Sequence, residues 1–116
     1  MRIYIAGPYS ADNVISVLDN IREGIRLSTQ VLLLGHSPFC PWLDFLFQLF
    51  LRENEALAIK DYYRYSIDWL LVSDVLLVMP EWRNSGGTAE EIVQAFNAGI
   101  PIVFDIGDLP KPTKEK

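Results

Sequence analysis

The sequence predicts an α/β fold built on one doubly wound parallel sheet of four or five strands. Three observations predict it. Two apolar, branched runs stop at turn-forming residues: Ile3-Tyr4-Ile5-Ala6 before Gly7-Pro8, and Val75-Leu76-Leu77-Val78-Met79 before Pro80. The stretches between strand-like runs carry apolar residues at helical spacing. Strand and helix patterns then alternate along the chain, the order that a parallel sheet with crossover helices requires. With 116 residues, 50% of them hydrophobic and 22% charged, the chain suits one packed domain rather than a disordered segment. Residues 1–105 are expected to form that domain and residues 106–116 a polar tail.

Each element has its own signal. Residues 2–6 read as a buried strand. A helix is expected over roughly residues 12–34, with Val14, Leu18, Ile21, Ile25 and Leu32 on its apolar face, Asp12 or Asn13 as cap, and Gly35 as its stop. Ser37-Pro38-Phe39 is a short extended stretch between turn residues. Residues 42–51 read as a helix that is apolar almost all round, which must be deeply buried or lie in a subunit interface. A second helical stretch runs from Glu53 to Val72, followed by a central strand at 75–79. Residues 81–87 form a loop, Thr88 to Ala98 a helix, and Ile102-Val103-Phe104 the last strand.

Charge and cysteine usage narrow the function classes. The net charge is −5 and the isoelectric point about 4.7, which argues against a general nucleic-acid or anionic-membrane partner, since both need a basic surface. Cys40 is the single cysteine, so no intrachain disulfide forms, and a cytoplasmic location is expected. The longest apolar run, Phe45 to Leu51, is too short to span a bilayer, and the opening residues lack a signal-peptide layout. His36, Cys40 and Asp44 recur every four residues. However, Pro38 and Pro41 break the helix that would align them, so no metal site is expected.

In doubly wound sheets, ligands bind beyond the carboxyl ends of the strands near the switch point. Two loops there carry unusual residues: Gly7-Pro8-Tyr9-Ser10 and Trp82 to Gly87. The helix after the second loop offers free backbone N–H groups, with Ser85 as cap or ligand partner. Two acids follow. Glu90 shares a stripe with Gln94 and Asn97, a solvated face; Glu91 shares one with Ala95 and Ala98, a row of small residues that lets a ligand approach. On spacing alone, both also read as ordinary first-turn acids.

The opening Met-Arg-Ile-Tyr-Ile-Ala-Gly-Pro-Tyr-Ser, together with Ser85-x-Gly87-x-x-x-Glu91 and Ala95 after the central strand, resembles the nucleoside 2-deoxyribosyltransferase superfamily. That family's pattern places a serine six and a glycine four positions before a nucleophilic glutamate, in register with Ser85, Gly87 and Glu91. The resemblance implies a flavodoxin- or Rossmann-like fold. It also implies cleavage, by hydrolysis or transfer, of the N-glycosidic bond of a nucleoside or its 5′-monophosphate through a glycosyl-glutamate intermediate, without a cofactor. In that reading Glu91 attacks and Ser85 with Gly87 and the helix end holds the 5′ end of the sugar. Gly7 and Pro8 bring backbone close to the ligand, Tyr9 stacks on the base or hydrogen-bonds to it, and Trp82 faces substrate. Ser66 occupies a position where many relatives carry an aspartate. Asp68 from a shifted register, or Asp61 from one side, replaces that acid, or the role is absent; two residues along a helix is a rotation of roughly 200°. The chain lacks the C-terminal extension of the longer transferases, which favours the shorter hydrolase-like branch and relatives of uncharacterised activity. A homodimer or higher homo-oligomer is expected, because the 42–51 segment needs cover. Two other readings fit the residues: a non-catalytic nucleotide-binding or sensing module, and a flavodoxin-like interaction domain.

Overall fold

Four parallel strands lie side by side in the order β2-β1-β3-β4, in a computed structural model that describes residues 1–112. The strands are β1 (Arg2–Ala6), β2 (Ser37–Phe39), β3 (Val75–Val78) and β4 (Ile102–Val103). The helices are α1 (Val14–Leu33), α2 (Phe45–Leu49), α3 (Ile59–Leu70) and α4 (Gly86–Asn97). Register pairs Tyr4 with Leu76 across the centre and Leu76 with Ile102 towards the edge. The doubly wound parallel sheet expected from the sequence is therefore present, with four strands.

Alternation along β1 and β3 sorts the core into two layers. Ile3, Ile5, Val75 and Leu77 face α1 and meet Val31 and Trp42; Tyr4, Ala6, Leu76 and Val78 face α3 and α4 and meet Leu70 and Ala95. Every residue of β3 is buried because helices cover both faces, which is why its sequence is continuously apolar. The sheet reverses its winding between β1 and β3, and the carboxyl ends of those two strands frame the cavity described below.

Several elements differ from expectation, each for a local reason. Helix α1 starts after Asn13, whose side chain accepts from the Ser16 N–H at 2.8 Å. Its buried face is Gly24, Ser28 and Val31, whereas Val14 and Leu32 are exposed; the small Gly24 is what lets Trp42 lie against the helix. Gly35 ends it with a φ of +97°, a conformation that favours glycine. Residues 42–51 do not form one helix. A 3-10 turn over Pro41–Asp44, opened by the proline, precedes the five-residue α2. That segment is also not deeply buried: only Trp42 and Asp44 are, while Leu46, Phe47, Leu49 and Phe50 are exposed on the single chain. Helix α3 begins at Ile59 rather than Glu53, where the Asp61 carboxylate accepts from the Ala58 N–H at 2.8 Å. The chain before it turns at Asn54, at a φ of +71°. After β4, Ile106 and Leu109 pack on the core, so the start of the tail is not simply polar; its last residues, 113–116, lie outside the described residues. No helix among the described residues is long and apolar enough to cross a membrane.

Candidate active site

A cavity of about 520 Å³ opens at the carboxyl ends of β1 and β3, within the range of small-molecule sites. The loop after β1, the 3-10 turn and α2, one face of α3, and the start of α4 form its walls. No lysine or arginine lines it among the described residues, and its two acids are Glu91 and Asp44.

Glu91 reaches the cavity because Ser85 sets the start of α4. The Ser85 hydroxyl oxygen accepts from the Thr88 N–H at 3.1 Å and from the Thr88 hydroxyl at 2.9 Å, so both of those hydrogens belong to Thr88 and the Ser85 proton is free for another acceptor. The first N–H groups of α4, at Gly86 and Gly87, have no partner within the helix and border the same cavity. A Cβ at Gly87 would stand 3.1 Å from the Tyr63 hydroxyl, so glycine leaves that tyrosine room at the rim.

Glu91 lies one and a half turns in, on the side facing the sheet. The Tyr4 hydroxyl donates to its Oε2 at 2.5 Å. Burial raises the Glu91 carboxyl from its ordinary 4.5 to about 7, and the Tyr4 hydrogen bond restrains that rise. Tyr4 itself is fully buried, and burial together with the negative charge of Glu91 keeps its hydroxyl protonated, with Ser66 on α3 acting in the opposite direction. The result is a carboxylate gripped through one oxygen by a phenol that stays a donor, with its other oxygen left for chemistry. Glu90 points away and accepts from Gln94 on the exposed face at 2.9 Å, the arrangement expected from spacing.

A second carboxyl lines the same cavity. Asp44, at the end of the 3-10 turn, is 8% exposed, and its Oδ1 accepts the Tyr9 hydroxyl at 2.9 Å. Burial raises its pKa while the Tyr9 hydrogen bond lowers it. Trp42 fixes this turn. Its indole is buried against Gly24 of α1, and its Nε1–H donates to the Pro8 carbonyl at 3.0 Å.

The structure brings together Gly7, Tyr9, Ser66, Ser85, Gly87 and Glu91 among the residues singled out in the sequence. It does not bring in three others. Pro8 lies outside the cavity and serves through its carbonyl. Trp82 turns into the layer with Leu76 and Ala95, packs on Phe104 at 6.2 Å between ring centres, and carries the Arg83 guanidinium over its ring at 4.7 Å. Asp68 is exposed and away from the cavity, as the rotation from Ser66 requires. Asp61 is also no substitute, since it caps α3 and pairs with Arg64 at 3.8 Å. Gly7 lines the cavity and also has a packing reason, since a Cβ there would collide with the Met79 side chain.

Sequence reasoning missed four contributors: Tyr4, hidden in a strand pattern; Asp44, weighed only in a metal cluster that was set aside; and Tyr62 and Tyr63, read as core or interface although both line the cavity. The signal for Asp44 was available, because it is the one charge in an otherwise apolar run from Pro41 to Phe47. His36 does not join it: its Nε2 meets the Pro110 carbonyl at 2.8 Å, and no group of three or more His, Cys, Asp or Glu able to hold a metal occurs among the described residues.

Among solved structures, a 2-deoxyribosyltransferase from the psychrotolerant bacterium Bacillus psychrosaccharolyticus has a similar fold, with a TM-score of 0.65 over 88% of this chain and 69% of that one. The two are 18% identical, so the likeness shows the fold. No curated protein matches the chain in sequence. The sequence model of the family described as a domain of unknown function, DUF7768, matches residues 1–105, and the chain belongs to that family.

Proposed function

We propose that this protein cleaves the N-glycosidic bond of a nucleoside or nucleoside 5′-monophosphate, with Glu91 as the nucleophile. The observation that carries the reading is Glu91, held by the buried Tyr4 hydroxyl, facing a cavity of ligand size. Tyr4 holds Oε2, and the free oxygen attacks the anomeric carbon as the bond to the base breaks. The glycosyl ester then passes to water or to a second base, giving net retention. The free Ser85 proton and the N–H groups of Gly86 and Gly87 hold the 5′ oxygen or phosphate, while Tyr9, Tyr62 and Tyr63 supply aromatic surface at the rim. The fold it shares with a 2-deoxyribosyltransferase supports the reaction class. The exposed Leu46, Phe47 and Phe50 support assembly as a homodimer or higher homo-oligomer, which light scattering would report as a mass well above 13.2 kDa.

The test is incubation with ribo- and deoxyribonucleosides and their 5′-monophosphates, with and without a free acceptor base, read by chromatography. Base release without acceptor identifies a hydrolase, and exchange only with acceptor identifies a transferase. No turnover across the panel, with a nucleotide bound intact, would move the reading to a binding or sensing module.

The Tyr4 hydrogen bond has a separate signature. Glu91 attacks only when ionised, so activity should rise with pH through about 7. Tyr4→Phe removes the donor that favours the ionised form, so Glu91 should hold its proton to higher pH. The acid limb of the rate profile should move up by roughly one pH unit, the equivalent of a charge-assisted hydrogen bond of about 1.5 kcal/mol. An unmoved acid limb would show that Tyr4 does not act through Glu91.

A further inference from the structure

On the proposed N-glycosidase reading, one role remains without a residue: the proton that a departing base needs. The buried α3 residue at the cavity is Ser66, which is no acid; Asp68 is exposed and away from the cavity, and Asp61 caps α3. The cavity nevertheless contains a second carboxyl, contributed by a different part of the chain. We infer that Asp44, positioned by Tyr9 and the Trp42 turn, is the acid that protonates the leaving base.

Four observations support this. Asp44 is buried yet borders the cavity. Its Oδ1 is oriented by the Tyr9 hydroxyl, and no other side chain or backbone group among the described residues hydrogen-bonds the carboxyl, which leaves Oδ2 for a ligand. The titratable groups that face it are Tyr4 from β1, Tyr9 from the next loop, Cys40 ahead of the turn and Tyr65 from α3, and burial raises the pKa of each; no lysine or arginine lines the cavity among the described residues. Glu91, the other carboxyl, lines the same cavity. An ionised nucleophile and a protonated acid are the complementary states that one glycosyl displacement needs.

The step balances. A Glu91 oxygen forms the bond to the anomeric carbon, the carbon–nitrogen bond breaks with its electron pair going to the base, and the Asp44 proton passes to a base nitrogen. In the second half, the Asp44 carboxylate takes a proton from the attacking water or acceptor base as the glycosyl–Glu91 ester breaks, which restores both residues.

Leaving-group dependence is the test, using Asp44→Asn, which keeps the size of the side chain and the acceptor for Tyr9. The substrates are purine nucleosides differing at C6, from adenine, a poor leaving group, to 6-chloropurine, a good one. With the wild type, kcat should depend little on the base. The variant should lose about a hundredfold with adenine and little with 6-chloropurine. An equal loss across the series, or no loss, would overturn the inference, because a merely structural role affects all substrates alike. Wild type inactive on the whole series would instead overturn the N-glycosidase reading, and this assignment with it. Should Asp44→Asn not fold, Tyr9→Phe leaves the carboxyl in place and removes a donor that favours its ionised form. The basic limb of the wild-type rate profile should then move to higher pH, and an unmoved limb overturns the assignment.

Discussion

Replacing Glu91 with glutamine should abolish base release, by at least about a thousandfold, and at the same time make the fold more stable at neutral pH. The activity loss follows from chemistry, since an amide oxygen is a poor nucleophile and forms no stable glycosyl ester at this position. The stability gain follows from burial. Glu91 binds its proton more tightly in the folded chain, at about 7, than in the unfolded chain, near 4.5. Between those values the folded state holds more protons, so its stability falls as pH rises, and above about 7 the penalty is constant. Glutamine keeps the acceptor for Tyr4 and carries no charge, so it escapes the penalty. The variant and the wild type should melt together near pH 4.5 and separate as pH rises towards 8. The separation should reach on the order of 2 kcal/mol, or roughly 5–10 °C in Tm. The two readouts, chromatography of released base and thermal melting at two pH values, fail in different ways. Retained base release would remove Glu91 from the mechanism. Equal melting at pH 8 would show that its carboxyl is not desolvated.

The fold was legible because its signals are local and agree with one another. Glycine and proline stop β1 and β3, Asn13 caps α1, Gly35 ends it, and the apolar run of β3 announces a strand covered on both faces. Glu91 and Ser85 were legible because both sit on one regular helix, where spacing fixes direction. What was not legible depends on contacts between distant segments. Tyr4 and Glu91 lie 87 residues apart, and nothing in a strand pattern tells a buried tyrosine that packs from one that also grips a carboxylate. Asp44 was hidden by the helix period assigned to residues 42–51: the 3-10 turn rotates Trp42 and Asp44 inward together and leaves the phenylalanines outside. Trp82 failed for the opposite reason. Its loop is on the ligand side, but its ring finds more cover beneath Arg83 and beside Phe104 than in the cavity. The face of α1 was legible at Ile21 and Ile25, which pack on the core, and misjudged at Val14 and Leu32, which are exposed; counting apolar residues also cannot see that a glycine is what a large indole needs beside it.

That indole carries the largest expected stability effect. Trp42→Ala should cost about 3–5 kcal/mol, against a total of roughly 5–15 kcal/mol for a domain, and lower Tm by roughly 10–20 °C. Trp42 is 1% exposed and is the largest fully buried side chain. It fills the space that Gly24 leaves on α1, so its removal opens a void between a long helix and a short turn. Neither can collapse into that void easily: α1 is pinned along the sheet by Ile21, Ile25 and Val31, and the turn is tied to β2 by only a few residues. The substitution also deprives the Pro8 carbonyl of its donor, which releases the loop carrying Tyr9. Trp42→Phe separates the two contributions, since it restores most of the packing but not the N–H. It should recover all but about 1–2 kcal/mol in urea unfolding, with an unchanged m value. If the Trp42 turn also aims Asp44, the folded Phe variant should show a lowered kcat with adenine nucleosides and a near-normal one with 6-chloropurine, the same selectivity expected of Asp44→Asn. A variant that lost stability but kept the wild-type leaving-group dependence would mean that the turn holds the fold together without positioning the acid.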